Sequence, residues 1–340
     1  AFKSTISKAG HNGIMIKGAK SIEALNNADT FVFDKTGTLT AGELEVIEVE
    51  SFSKEWSEEE LLNLTASTEE HYFHPVAEAV VKAAKQRGFV HMHHEEVEFI
   101  VAHGVKTEVN GKLVVIGSRH FLEDDEKIDF SEHLEKIEKS IKEGKTLLYI
   151  GYDGKLLGTI TLADEVRSNA KEAISRLKKL GVKNIIMLTG DTKQKAKMIA
   201  DELGIDEIRA ELLPQDKAKI VKELRIQGKK VAFIGDGIND APALISAQVG
   251  ISMSRGADIA KATADISLLK DDIMAVVEAK EYANKTMNLI NNNFNATVGI
   301  NSCILAGATF GVFSPIVTAV LHNGTTIGLL FNSIKGVKLN

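Results

Sequence analysis

With Cys303 as its single cysteine, the chain cannot staple itself with an internal disulfide framework. A net charge of -6, with both signs spread along 340 residues, offers no basic surface, so no nucleic-acid partner is expected. No internal repeat or low-complexity segment is evident. A signal peptide is lacking, and Ala1-Phe2-Lys3 reads as mid-protein sequence, so an N-terminal part is expected to lie upstream. The longest absence is of charge: residues 286–334 contain no Asp, Glu, Lys or Arg. That length accommodates two helices of roughly 20 residues, each able to cross a bilayer. The expected spans are 292–312 and 315–334, with Gly311-Val312-Phe313-Ser314-Pro315 as the turn. A buried helical hairpin in a large soluble domain is the alternative. In a membrane, Asn291, Asn292, Asn293, Asn295, Asn301 and Asn332 are expected to face the bundle interior or a pathway. Lys335 and Lys338 fit a cytoplasmic end.

What is present starts with Asp34-Lys35-Thr36-Gly37-Thr38-Leu39-Thr40, directly after the apolar run Phe31-Val32-Phe33. An acid at the end of a buried strand, followed by a Gly/Thr turn, sits where open α/β sheets bind ligands. A carboxylate there can attack phosphorus and form an aspartyl phosphate. The heptad resembles the phosphorylation signature of the P-type ATPases. The resemblance implies that Asp34 is the nucleophile and that Lys35 and Thr36 belong to the catalytic loop. Thr36 stands where many soluble phosphatases of the same fold carry a second Asp as acid/base, so a long-lived phosphoenzyme is expected.

Three further segments join it. Gly235-Asp236-Gly237-Ile238-Asn239-Asp240 follows the strand-like run 231–234, and two carboxylates four apart at a Gly turn suit Mg²⁺, which prefers oxygen ligands. Asp34, Thr36, Asp236 and Asp240 are the expected Mg²⁺ residues, with Asn239 and Asp240 orienting the site; the plain alternative is a capping turn before Pro242. Thr189-Gly190-Asp191 follows the run 185–188 and offers a hydroxyl and backbone N–H groups to phosphate, or simply an ordinary helix N-cap. Lys217 can put an ammonium on a transferring phosphoryl group, or be a solvated lysine. The order Asp, Thr, Lys, acidic pair is that of the haloacid-dehalogenase fold. Asp164 and Arg167 match that family's Asp-x-x-Arg element, where Arg binds phosphate or braces the hinge.

The resemblance implies an α/β fold: a haloacid-dehalogenase-like doubly wound phosphorylation domain, an inserted α+β nucleotide-binding domain, and a C-terminal transmembrane hairpin. The expected segments are 1–20 (end of a preceding membrane helix and linker), 21–42, 43–153 (nucleotide domain), 154–283 and 284–340. Strand-like alternation at 43–53, a helix at 57–68 with Ser57 and Glu60 as a capping box, a helix at 76–87 and short strands at 97–101, 107–109, 113–116 and 147–152 fill the insert. The βαβ rhythm is expected to resume with a strand at 156–162, followed by a helix at 166–180, a strand at 184–188, helices at 193–203 and 217–227, and a strand at 231–234.

His74-Pro75, five residues after Glu69, resembles the Glu…His-Pro element of the heavy-metal (type IB) branch, which implies that Glu69 and His74 contact the adenine of ATP. The Gly-x-Gly of that branch reads Ala102-His103-Gly104 here, and Gly117-Ser118 matches a second glycine position. His91-Met92-His93-His94 is either a soft-metal site or an exposed loop. His322-Asn323-Gly324-Thr325-Thr326 resembles the His-Glu-Gly motif of the cobalt/zinc/iron subgroup with Asn for Glu, so His322 and Thr326, at i and i+4, are candidates for the transported ion. The Asp that the resemblance to zinc/cadmium/lead exporters would imply in this helix is absent, as is the Met-rich, Ser-Ser pattern of copper exporters; a divalent transition metal is the expectation preferred from the resemblance. The implied activity is ATP-driven metal transport across a membrane through an aspartyl phosphate, with cytoplasmic catalytic domains, membrane lipid around the hairpin and an N-terminal part of the same pump as partner. No Thr-Gly-Glu tripeptide, which drives phosphoenzyme hydrolysis in the family, occurs in these residues. A soluble phosphatase of the same superfamily and a non-catalytic nucleotide-binding regulator are the alternatives.

Overall fold

The computed structural model describes the chain apart from residues 72–73, 101–102, 143–144, 237–239, 255–257, 338 and 340. It divides into two compact units, residues 1–39 with 166–340, and residues 40–165. The first unit opens with α1 (Phe2–His11), β1 (Ile14–Ile16), α2 (Ala19–Asn27) and β2 (Thr30–Asp34). The second comprises β3 (Thr40–Ser51), α3 (Glu58–Glu69), α4 (Pro75–Gln86), β4 (Glu98–Ile100), β5 (Gly104–Val109), β6 (Lys112–Gly117), α5 (Leu134–Lys142), β7 (Thr146–Tyr152) and β8 (Lys155–Val166). The first unit then resumes with α6 (Ala170–Lys179), β9 (Asn184–Leu188), α7 (Lys193–Leu203), β10 (Glu207–Arg209), α8 (Pro214–Ile226), β11 (Val231–Gly235), α9 (Ala241–Ser246), β12 (Val249–Ser252), α10 (Asp258–Thr263), β13 (Ile266–Leu268), α11 (Met274–Thr309) and α12 (Pro315–Lys335).

The first unit is built on a seven-stranded sheet in the order β1-β13-β12-β11-β2-β9-β10. Every pair is parallel except β1 with β13. Strands covered by helices on both faces read as continuous apolar runs, and all five residues of β2 are buried. Phe31 and Phe33 enter the core cluster that includes Ile22, Leu25, Ile174 and Val276, while Val32 joins Val221, Leu224 and Phe233 in the other. The chain winds from β2 outward through β9 to β10, then returns to lay β11 on the opposite side of β2. The strand order therefore reverses between β2 and β11, the point where such sheets form a crevice at their carboxyl ends.

In the second unit β4 to β8 form an antiparallel meander, with β3 beside β8. α3 and α4 contribute Leu61, Leu64 and Val80 to a core with Val105, Ile116, Ile150 and Ile160. The capping box holds: the Ser57 hydroxyl accepts the Glu60 N–H at 3.2 Å and the Glu60 carboxylate accepts the Ser57 N–H at 2.8 Å.

The observed layout differs in detail from the expected one. The strand expected at 156–162 belongs to β8 in the second unit's sheet, because Asp153 and Gly154, both at positive φ, close a tight hairpin that pairs Tyr152 with Lys155. The units accordingly divide at 39/40 and 165/166 rather than 42/43 and 153/154. Within residues 1–20, Ile14 to Ile16 pair antiparallel with β13, and Thr5 of α1 hydrogen-bonds Thr286 at 2.8 Å. The uncharged stretch forms the hairpin α11–α12, but α11 begins well before 292, and among the described residues no helix is long and apolar enough to cross a membrane. Lack of charge is not the same as hydropathy: the amides and hydroxyls of both helices dilute the apolar side chains. Several of them tie the hairpin together, with Asn293 donating to Ser333 and Asn332 donating to Asn293, both at 2.8 Å.

Lys280 of α11 locks that helix to the sheet. Its ammonium donates to the carbonyls of Leu25, Asn26 and Ala28 at 2.8, 2.8 and 3.0 Å, engaging acceptors at the end of α2. Lys280→Met is expected to cost about 2–3 kcal/mol in urea unfolding, since buried acceptors lose their donor. Unchanged stability would mean that these carbonyls find other partners.

Candidate active site

β2 pairs with β11 so that Phe33 lies opposite Ile234, and with β9 so that Asp34 lies opposite Leu188. This register sends Asp34, Asp236 and Thr189 out at the same sheet end, on three adjacent strands. Asp34, Asp236 and Asp240 each offer a carboxylate oxygen within 4.8 Å of the others. Lys217, on α8, reaches both Asp34 and Asp240 at 2.8 Å. Asp240 is almost fully buried, and its second oxygen accepts the Asp236 N–H at 3.2 Å. Lys217 and a backbone donor thus engage both oxygens of Asp240, which suits an orienting role. Asn239 and Gly237 lie outside the described residues.

The loop after Asp34 is braced from two sides. Lys35 pairs with Asp191 at 2.7 Å, and the Thr189 hydroxyl accepts the Asp191 N–H at 3.0 Å, so the Thr189-Gly190-Asp191 turn is tied to the loop after Asp34. Arg167 donates to the carbonyls of Thr38 and Gly37 and to the Asp271 carboxylate, the last at 2.6 Å. Those bonds are what a brace makes. In the second unit, Asp164 accepts the Thr40 hydroxyl and the Gly42 N–H. Thr36 is exposed. Thr38 was missed by the sequence reading: its hydroxyl is buried with no hydrogen-bond partner, an expensive state unless a ligand oxygen completes it. Its position between Gly37 and Leu39 gave no chemical signal beyond the heptad itself.

Electrostatics single out the acidic trio. Burial, then the neighbouring Asp240, push Asp34 up to about 7, with Lys217 pulling the other way. Burial and Asp240 push Asp236 up to about 6. Burial disfavours the Lys217 charge, but Asp34 and Asp240 more than offset this and hold it above the ordinary lysine range. One ammonium is too little positive charge for three close carboxylates, and the donor set is hard oxygen, so the residues fit Mg²⁺. Gly37 (φ +70°) leaves room beside them: a Cβ there would lie 1.8 Å from the Asp236 carboxylate.

A stability prediction follows. The folded pKa of Asp34 lies above its ordinary 3.8, so the folded state binds more protons between those values and loses stability as pH rises towards 7. Without Mg²⁺, wild type is expected to lose about 2 kcal/mol relative to Asp34→Asn between pH 4 and 7, and added Mg²⁺ to restore it. Parallel melting curves for the two proteins across that range would contradict the assignment.

In the second unit Glu69 is buried and pushed up to about 7 by desolvation. It lines a cavity of about 490 Å³ with Glu70, Ala77, Val81, Lys82 and Lys85. His74 caps α4, its Nδ1 accepting the Val76 N–H at 3.3 Å, and Pro75 takes the first helical position. Gly104 and Gly117 face each other across β5 and β6. A Cβ on Gly104 would meet the Ile116 carbonyl oxygen at 2.0 Å, so close strand approach by itself demands glycine there. Ala102 lies outside the described residues. In the hairpin His322 hydrogen-bonds Asn301 at 3.0 Å, and the Thr326 hydroxyl donates to the His322 carbonyl. Their side chains are therefore engaged separately rather than converging.

The comparisons agree with this geometry. Residues 28–248 match the haloacid dehalogenase-like hydrolase family. The chain is 38% identical over 339 residues to a zinc-exporting P-type ATPase of Mycobacterium marinum, covering 99% of this chain and 46% of that protein. It is also 38% identical over 340 residues to a manganese-exporting P-type ATPase of Mycobacterium tuberculosis, covering 99% and 47%. It thus spans about half the length of the curated relatives it matches. A zinc-transporting PIB-type ATPase in the E2.Pi state superposes with a TM-score of 0.87 at 34% identity, over 98% of this chain and 54% of that one. The catalytic domain of the CPx-ATPase CopB-B superposes with a TM-score of 0.63 at 31% identity, over 81% of this chain and 98% of that one. The acid-rich crevice at the strand-order reversal and these matches together establish that the chain belongs to the haloacid dehalogenase-like hydrolases and, within them, to the heavy-metal P-type ATPases.

Proposed function

We propose that this chain is the catalytic part of an ATP-driven pump for a divalent transition-metal cation, working through an aspartyl phosphate on Asp34. The observation that carries the reading is the contact of Lys217 with both Asp34 and Asp240 beside Asp236, in the crevice behind the Asp34–Thr40 heptad. In the reaction an Asp34 carboxylate oxygen bonds to the γ-phosphorus of ATP while the bond to the bridging oxygen of ADP breaks. Lys217 faces the charge that spreads over the transferred group, and the buried Thr38 hydroxyl is available to donate to it. Thr189 and Lys35 hold the crevice in register through Asp191. Mg²⁺, held by Asp34 and Asp236 with Asp240 behind them, would supply the charge neutralisation that one lysine cannot.

Glu69 and His74 hold the adenine in this reading, with Gly104 and Gly117 setting the strands nearby. The absence of a carboxylic acid at Thr36 supports a persistent phosphoenzyme. The cargo is a divalent transition metal, in keeping with the zinc and manganese named for the relatives. The hairpin α11–α12 exposes the apolar side chains Phe294, Leu305, Phe310, Ile316 and Phe331, and in this reading further helices of the pump cover them at the membrane, with the remainder of the first unit and the second unit on the cytoplasmic side. The test is transfer of label from γ-labelled ATP with Mg²⁺, followed by acid quench and hydroxylamine. An acid-stable, hydroxylamine-labile adduct is expected, and its absence would remove the proposal. For the complete pump, stimulation of ATPase activity across a metal panel identifies the cargo.

A further inference from the structure

The histidine run at 91–94 lies outside the machinery just described, and the fold gives part of it a partner. Glu70, His91 and His94 each present a ligand atom within 4.8 Å of the others. His91 Nε2 lies 3.0 Å from Glu70 Oε1, and His71 Nε2 lies 3.5 Å from the same oxygen. His94 is the informative member. Its Nδ1 lies 2.7 Å from the Glu95 carbonyl oxygen, which can only accept, so Nδ1 carries the proton and Nε2 is a bare lone pair. That Nε2 is buried and has no hydrogen-bond partner. A histidine with one nitrogen fixed by a carbonyl and the other buried and unpartnered, clustered with a carboxylate and a second imidazole, is arranged as a metal ligand.

The segment carrying these residues is held at both ends. The Met92 N–H donates to Ser67 at 2.8 Å, on α3 just before Glu70. The Glu95 N–H donates to the Glu108 carbonyl at 2.9 Å, and the Thr107 hydroxyl returns a bond to the Glu95 carbonyl at 3.0 Å. His93, between the two ligands in sequence, is exposed and outside the cluster.

We propose that Glu70, His91 and His94 bind a borderline divalent transition-metal ion of the zinc, cobalt or nickel type on the second unit, with water or His71 completing the coordination. Two imidazoles and one carboxylate suit such ions and leave Mg²⁺, which seeks oxygen ligands, without a competitive claim. The inference stands apart from the proposed transport function. Glu70 also borders the cavity lined by Glu69, so an occupied site would neutralise a carboxylate there and fix the end of α3.

The test is titration of the whole 340-residue chain with Co²⁺ in excess Mg²⁺, read by ligand-field absorption, with Zn²⁺ displacing it. A single saturable equivalent is expected. His91→Ala and His94→Ala are each expected to weaken it more than about 100-fold, beyond the effect of losing a group that merely orients a ligand. His93→Ala should bind as wild type does. Circular dichroism checks that each variant is folded, and His91, being exposed, keeps the test sound if His94→Ala misfolds. The proposal fails if Co²⁺ does not bind, if binding survives both substitutions, if His93→Ala loses it equally, or if it instead follows His120→Ala in the separate cluster of His103, His120 and Asp125.

Discussion

Asp34→Asn is expected to abolish transfer of the γ-phosphoryl group from ATP to the chain, a loss of at least about 10⁴-fold, while the variant stays folded and melts at a higher temperature than wild type at neutral pH without Mg²⁺. An amide has no anionic oxygen to attack phosphorus, and no other carboxylate stands in the same place: Asp240 is engaged by Lys217 and by the Asp236 N–H. The gain in stability has a separate cause. Asp34 is a buried carboxylate pushed up to about 7 by desolvation and by Asp240, so at neutral pH its ionised form opposes folding. Asparagine removes that charge and leaves Lys217 with Asp240 at 2.8 Å. Opposite signs for activity and stability are the mark of a functional charge held at a structural cost. Acid-quenched labelling and thermal melts measure both. Residual labelling of the variant would place the nucleophile elsewhere, and a lower melting temperature would show Asp34 to be a stabilising partner of Lys217.

Much of this site was legible because its residues sit on strands that sterics and burial make easy to recognise. Residues 31–33 and 231–234 are apolar without interruption, which marks parallel strands covered on both faces; Asp34 follows the first directly and Asp236 follows the second after Gly235. Strand existence was clearer than sheet membership. β8 was seen as a strand, but its alternation satisfies either sheet, and only the Asp153-Gly154 turn, acting locally, commits it to β7. β1 has three residues and buries only two, too short a period to register. Contacts formed across long separations were invisible. Glu70 and the pair His91 and His94 are some twenty residues apart, and the Thr38 hydroxyl differs from its neighbours only in what fails to reach it. The hairpin is legible in a different way. Its lack of charge was plain, but lack of charge describes what a helix avoids, and only the sum over its amides shows how apolar it is.

Gly37→Ala is expected to lower phosphoryl transfer by about 10²–10³-fold and to erase the stabilisation that Mg²⁺ gives the wild type. Two effects meet at this position. The backbone stands at φ +70°, which L side chains adopt at a cost of about 1 kcal/mol. The new methyl would also lie 1.8 Å from the Asp236 carboxylate oxygen and 2.4 Å from its carbon, far inside contact distance. Either the loop or Asp236 must move, and Asp236 and the adjacent Asp34 are the residues that would hold the ion. Gly154→Ala separates the two effects. That residue stands at φ +76° in the β7–β8 turn, and a Cβ there meets nothing within 4 Å. It should show the backbone cost alone, with Mg²⁺ stabilisation and labelling intact. Mg²⁺-dependent melting shifts and acid-stable labelling, measured on both variants, decide the matter. Equal behaviour of the two would mean that Gly37 serves only its turn. A selective loss in Gly37→Ala would mean that the missing side chain is the space in which Asp236 meets the ion.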